Sequence, residues 1–187
     1  MTNEGFPILY DTQVTGQDDV AAAYQPGALF IHRSGTGNTN MSLVQYVQLD
    51  NNGCSQGDAL VQNYATLKNY SVKVSATTDQ LTPVLRGIAA ATIASQYFGF
   101  MIMSGYVEKA NLSKTCASGD LLVISGSTAG YLSPGNSVGS VAAFWSATVG
   151  VSSALGTAPY GVVARSNNAH ATTTTPLGSI TLLGNLW

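Results

Sequence analysis

Two stretches of the chain, "CSQGDALV" (Cys54 to Val61) and "CASGDLLV" (Cys116 to Val123), spell one pattern, C-x-x-G-D-x-L-V, and contain both of its cysteines. Recurrence of this kind constrains the fold before any single residue does, because it implies a supersecondary unit built twice. The phrases that follow keep the same order in both halves. The first half continues with "PVLRGIAAA" and "GFMIMSG", the second with "APYGVVARS" and "GSITLLG". Gly87-Ile88-Ala89 is matched in character by Gly161-Val162-Val163, and the bracketing pair Gly99 and Gly105 by Gly178 and Gly184. The interval from Gly57 to Gly87 is shorter than that from Gly119 to Gly161, which predicts an insertion or a longer hairpin in the second unit, near residues 129–158.

Within the repeated phrase, Gly57 and Gly119 can take the positive φ of a tight turn. Asp58 and Asp120 can fix that turn by accepting a backbone N–H. A second reading makes the two aspartates a carboxylate pair for acid–base work or a metal. The turn reading is preferred, since no histidine, glutamate or third carboxylate recurs beside either copy. The cysteines stand at equivalent places in two units and are expected as free thiols in two similar pockets. A disulfide would require Cα atoms about 4.4–6.8 Å apart.

The rest of the chain alternates at the strand period. In "SLVQYVQL", Leu43, Gln45, Val47 and Leu49 share one face and Val44, Tyr46 and Gln48 the other. "NYSVKVSAT" alternates in the same way, and "DLLVISGS", "SVAAFWSATVGVSS", "YGVVARS" and "GSITLLGNLW" are apolar or β-branched runs between turn residues. Helix is expected only as a short turn at "DDVAAAY", Asp18 to Tyr24. The fold class is therefore all-β, a small β-barrel or sandwich of two related units. An N-terminal arm with the first strand covers residues 1–42, unit 1 covers 43–107 and unit 2 covers 108–187. In the arm, Phe6, Ile8, Leu9 and Tyr10 are isolated apolar anchors suited to lying on a neighbour. Removal of the residues before about Leu29 is expected to leave the fold intact.

Charged residues make up only 9% of the 187, with a net charge of −2, while apolar residues reach 45%. Such a surface is neutral and hydrogen-bonding, and charge does not keep its copies apart. Seven basic residues against nine acidic ones, without a basic cluster, argue against nucleic acid as a partner. No apolar run approaches the roughly 18 residues of a membrane span, and the start of the sequence lacks a signal-peptide layout. His32 and His170 fit no zinc spacing and are expected on the surface or in loops. "SGTGNTN" (Ser34 to Asn40) lacks the G-K-[ST] ending of a phosphate loop and reads as a hairpin tip. Ser113-Lys114 is an adjacent pair and not the i, i+3 spacing of a Ser-Lys site. These absences point away from an enzyme and give no cofactor, metal or catalytic residue. Nine tyrosines, with Trp145 in the second-unit insertion and Trp187 at the end, suit core or protein interface.

The string "TPVLRGIAAATIASQYFGFMIMSGYVEKANLSKTCASGDLLVISGSTAGYL" resembles the capsid decoration, or cement, proteins of tailed bacteriophages. The residues that carry the likeness are Gly87 to Ala89, Gln96-Tyr97 with Gly99, Phe100 to Gly105, and Cys116 to Leu121, within Pro83 to Leu132. The resemblance implies a non-enzymatic β-barrel on the capsid exterior of a virion, made in the host cytoplasm. It implies the major capsid protein as partner, with Phe6, Ile8, Leu9 and Tyr10 in the contact, and copies of itself, as a trimer, with Trp145 and Trp187 at the subunit interface. The chain departs from the simplest members in length, cysteines and duplication. The alternative expectation is a fibre or adhesin module that binds host glycans through loop Tyr, Trp, Asn and Asp; aromatic residues clustered on one exposed loop face would favour it.

Overall fold

The computed structural model describes residues 6–16, 18–65, 68, 70–78, 85–134, 164–171 and 177–183. Among them the chain is all-β: β1 (Ile8–Tyr10), β2 (Leu29–Ser34), β3 (Asn40–Leu49), β4 (Ala59–Gln62), β5 (Ser71–Val74), β6 (Leu85–Ala89), β7 (Phe98–Asn111), β8 (Leu121–Ile124), β9 (Leu132–Pro134), β10 (Ala164–Ser166) and β11 (Leu177–Leu182), with one short helix, α1 (Asp11–Thr15).

Five strands close on themselves. The pairings β3–β5, β5–β4, β4–β6, β6–β7 and β7–β3 make a ring in which only β3–β5 is parallel. Every strand of the ring turns at least one apolar residue into a common cluster: Val47 and Leu49, Leu60, Val72, Ala89 and Met101, joined by Ile93 from the loop after β6. This is a small barrel filled by its own side chains.

A second ring repeats the first in the same register. Leu60↔Val74, Val61↔Lys73 and Gln62↔Val72 in β4–β5 correspond to Leu122↔Pro134, Val123↔Ser133 and Ile124↔Leu132 in β8–β9. Ala89↔Met101 corresponds to Ser166↔Ile180, and Val47↔Gly99 to Ala110↔Gly178. The parallel contact that closes the ring is here the bridge Leu112↔Leu132. The inward residues at equivalent places, Ala110, Leu112, Leu122, Leu132, Ser166 and Ile180, are all buried.

The repeated phrase behaves alike in both rings. Gly57 and Gly119 have φ of 90° and 91°. Each glycine N–H donates across the barrel, to the Ala89 carbonyl at 3.0 Å and the Ser166 carbonyl at 2.9 Å, and each aspartate carbonyl accepts the return bond at 2.9 Å. The Asp58 carboxylate accepts the Ser55 N–H and the Asp120 carboxylate the Ala117 N–H, both at 2.8 Å. Cys54 exchanges two backbone bonds with Ile93, and Cys116 two with His170. The expected pairing of Gly99 with Gly178 matches this register. The pairing of Gly87–Ala89 with Gly161–Val163 is corrected by three residues, because Ala164–Ser166 occupies the place. Small aliphatic residues run through "YGVVARS", so composition alone could not fix the register. The expected insertion lies between β9 and β10 and falls largely outside the described residues.

The two rings share a strand. The first half of β7, to Gly105, completes ring one, and its second half, from Tyr106, opens ring two. The junction expected at 107/108 is therefore the interior of one strand rather than a linker. The rings are also tied at the first Gly-Asp turn. Asn111 donates its N–H to the Gly57 carbonyl (2.9 Å) and its side-chain amide to Asp58 Oδ1 (2.8 Å). Gly130 binds Ala59 and Ser75 through its backbone.

The N-terminal residues pack on the first ring instead of forming a free arm. Leu9, Val14 and Phe30 are buried with Val44, Tyr46, Phe100 and Ile102 on the outer face of β3 and β7, and Tyr24 packs against them. Ring centroids of Tyr24 and Phe30, and of Tyr46 and Phe100, lie 5.1 Å apart. From Val44 to Leu49 both faces of β3 are thus packed, which explains why the alternation there is apolar on each side. Removal of the residues before Leu29 would take Leu9, Val14 and Tyr24 out of this layer, which weighs against the expectation that the fold survives it. The helix expected over Asp18 to Tyr24 is also absent. Its aspartates serve tertiary contacts: Asp18 accepts the Ala94 N–H at 2.9 Å, and Asp19 bridges Phe98 and accepts the Tyr46 hydroxyl at 2.6 Å.

The equivalent aspartates differ in burial. Removal of Asp58 leaves the buried Asn111 amide without its acceptor, whereas Asp120 holds only an exposed turn. Asp58→Ala should cost about 2 kcal/mol in urea unfolding and Asp120→Ala less than about 1 kcal/mol. The reverse order would contradict the role given to Asp58 as the tie between rings.

Candidate protein-contact face

The alternation of β1 sorts the four N-terminal anchors. Leu9 faces the core beside His32 and Ser42, so it is not available to a partner. Ile8 and Tyr10 point the other way. Register carries them across three strands in two rows, Ile8–Ile31–Leu43 and Tyr10–Arg33–Met41. Phe6, Ile8, Tyr10 and Met41 are each about half exposed (51%, 46%, 49% and 52%). On the far side Leu183, also exposed, directly follows Leu182, whose register partner Gly105 is the partner of Ser42. Among the described residues the other large apolar side chains that are exposed are Val20 and Tyr64. Three of these exposed apolar side chains, Ile8, Tyr10 and Met41, thus share one sheet face, the usual mark of an interaction site.

Arg33 is the cation within the second row, and its Nε is buried without a hydrogen-bond partner among the described residues. The edge of β1 is less open than the face. The strand has three residues, and its last N–H, on Tyr10, is taken by Gln13 Oε1 of α1 at 3.0 Å. Short, capped edges resist strand addition, so contact falls to the side chains of the face.

The remaining sequence-derived sites divide. Gly57, Asp58, Gly119 and Asp120 are structural turns, as their hydrogen bonds show. Trp145 and Trp187 lie outside the described residues. "SGTGNTN" is the β2–β3 hairpin tip, with positive φ at Gly35 and Gly37. His170 lies in a loop as expected, outside the named strands and half-buried, whereas His32 departs from the expectation. His32 is buried on β2, 3% exposed, with Nε2 at 3.1 Å from Asp11 Oδ1. His170 pairs with Cys116 inside the second ring's mouth. Spacing rules for ligands and motifs carry no signal for either placement.

Cys54 and Cys116 are free. Cys116 Sγ lies 3.4 Å from Ser166 Oγ. Burial, the leading cause, pushes the Cys54 thiol up to about 12. No group of three or more His, Cys, Asp or Glu residues capable of holding a metal ion exists among the described residues. No protein-family model matches the chain, and no curated protein matches it.

Two groups keep their protons in the fold, the half-buried Cys54 and the buried Tyr46. Burial, followed by the hydrogen bond to Asp19, raises the Tyr46 phenol above its ordinary 10.0. Both ionise more readily unfolded, so the stability they contribute is complete below about pH 9 and declines as pH rises through 9 to 12. The urea midpoint should fall over that interval, and Cys54→Ala should flatten its first part. Iodoacetamide at pH 8 should leave Cys54 unmodified until denaturant is added. Rapid native alkylation would contradict the inert thiol.

Proposed function

We propose that this chain is a structural virion protein that decorates the exterior of a bacteriophage capsid and cements neighbouring major capsid proteins, without enzymatic activity. The observation that carries the reading is the face of β1–β2–β3, apolar apart from Arg33, on an otherwise weakly charged all-β scaffold. Phe6, Ile8 and Tyr10 are its anchors, joined by Met41 and Leu183, which periodicity in the sequence did not single out. The likeness of Pro83 to Leu132 to decoration proteins supports the same reading. So does the two-ring body, whose shared strand fits a protein that bridges subunits rather than one that moves against a substrate. Copies of the chain associate as a trimer, and many weak contacts on a lattice then add by multivalency.

The exposed aromatic residues do not favour glycan binding. Tyr10 stands on a strand face, Phe6 precedes β1, and Tyr64 is the exposed aromatic of the β4–β5 loop.

The test is co-sedimentation with capsids purified without this protein. Binding should persist at about 1 M salt, because apolar contact is not screened. Ile8→Asp combined with Met41→Asp should weaken it at least about tenfold, a loss of roughly 1.4 kcal/mol, with the melting temperature unchanged. Full binding by that double variant, or its loss at high salt in the native chain, would remove the face from the account.

A further inference from the structure

We infer that a second site, a cleft between α1, β2 and the second half of β7, binds an organic cation: a guanidinium or ammonium group. The cleft encloses about 310 Å³, near the lower limit of small-molecule pockets (roughly 300 Å³) and enough for one side-chain-sized group. It opens on the core side of β1 and β2, opposite the apolar face, so the two sites can fail separately.

Three observations define its chemistry. The first is a bulge. Val107 and Ala110 pair with Ile180 and Gly178, leaving Glu108 and Lys109 opposite Ser179 alone. The corresponding stretch of ring one, Gln45↔Met101 to Val47↔Gly99, runs without a shift. Bulges re-aim side chains next to sites, and both bulged residues line the cleft.

The second is the polar lining. Asp11, His32, Ser34, Gln56, Tyr106 and Glu108 converge on the cleft. His32 is buried, its Nε2 is bound to Asp11, and its Nδ1 has no partner among the described residues. With Nε2–H donating to the carboxylate, Nδ1 is a lone-pair acceptor. Carboxylates, imidazole and hydroxyls make the cleft rich in acceptors, which calls for a donor.

The third is charge. Two carboxylates, Asp11 and Glu108, face one cation, Lys109, and Lys109 forms no ion pair with either among the described residues. An anion would meet net repulsion here. A metal ion lacks ligands, since no group of three suitable residues is present among the described residues. A compact organic cation supplies the missing donors and the missing charge together.

The group could belong to a basic side chain of a bound protein or to a free amine. The test is a titration at pH 7 followed by two-dimensional ¹H–¹⁵N NMR of the full chain, using N-acetyl-argininamide, putrescine and, as neutral control, N-acetyl-glutaminamide. The amides of Asp11, His32 and Glu108 should shift saturably with at least one cation, at millimolar dissociation constants, and not with the control. Stronger binding of N-acetyl-argininamide identifies a protein side chain as the source, and stronger binding of putrescine a free amine. Glu108→Gln, an exposed change with little risk to folding, should weaken the better probe at least fivefold, and Asp11→Asn/Glu108→Gln should abolish saturation. Absence of saturable shifts with both cations, equal shifts with the control, or undiminished binding by Glu108→Gln would overturn the assignment.

Discussion

The architecture depends on β7, one strand serving two barrels. Its first half supplies Phe100 and Ile102 to the outer face of ring one and Met101 to its interior, and its second half supplies Ala110 and Leu112 to ring two. A strand held this way has little freedom of register, since a slip of one residue would exchange inside for outside in both rings at once. The Asp58–Asn111 bond fastens the same point from the side. Burial raises the Asp58 carboxyl above its ordinary value, against the opposing pull of its hydrogen bonds from Ser55 and Asn111. The junction thus holds a partly desolvated carboxyl in a fixed geometry, which suits a tie better than an acid–base role.

Much of this was legible in the residues, and the reasons are local. The Gly-Asp phrase encodes its own turn through a positive φ and a side-chain acceptor, so it reads the same wherever it appears. At Gly178 an added Cβ would run into the Leu112 side chain, and Gly99 holds the equivalent place in ring one. The N-terminal region was not legible. Its Phe6-Pro7-Ile8-Leu9-Tyr10 run alternates over too few residues to show that Leu9 turns inward, and the partners that bury it, Phe30 and Tyr46 among them, lie far along the chain. Asp18 and Asp19 resemble a helix start, yet tertiary bonds to Ala94 and Tyr46 claim them. The contact face was half visible: Ile8 and Tyr10 from composition, Met41 and Leu183 only once register had brought them alongside.

The two rings have the same backbone and different interiors. Where ring one places Ala89 and Ile93 near its cysteine, ring two places Ser166 and His170, with Cys116 Sγ against the Ser166 hydroxyl. The bulge at Glu108-Lys109 is likewise confined to the second copy. The hydrogen-bond frame is common to both rings while the side chains inside it differ, as expected where the backbone bonds rather than particular side chains define the unit.

A strand with two owners has a consequence for how the molecule comes apart. No cut in the chain yields two whole units, because either fragment would leave one barrel with a missing stave and an open seam of unpaired amides. The duplication is one of pattern and not of parts: the halves cannot be separated, rearranged or lost one at a time, and the chain holds or fails as a single body.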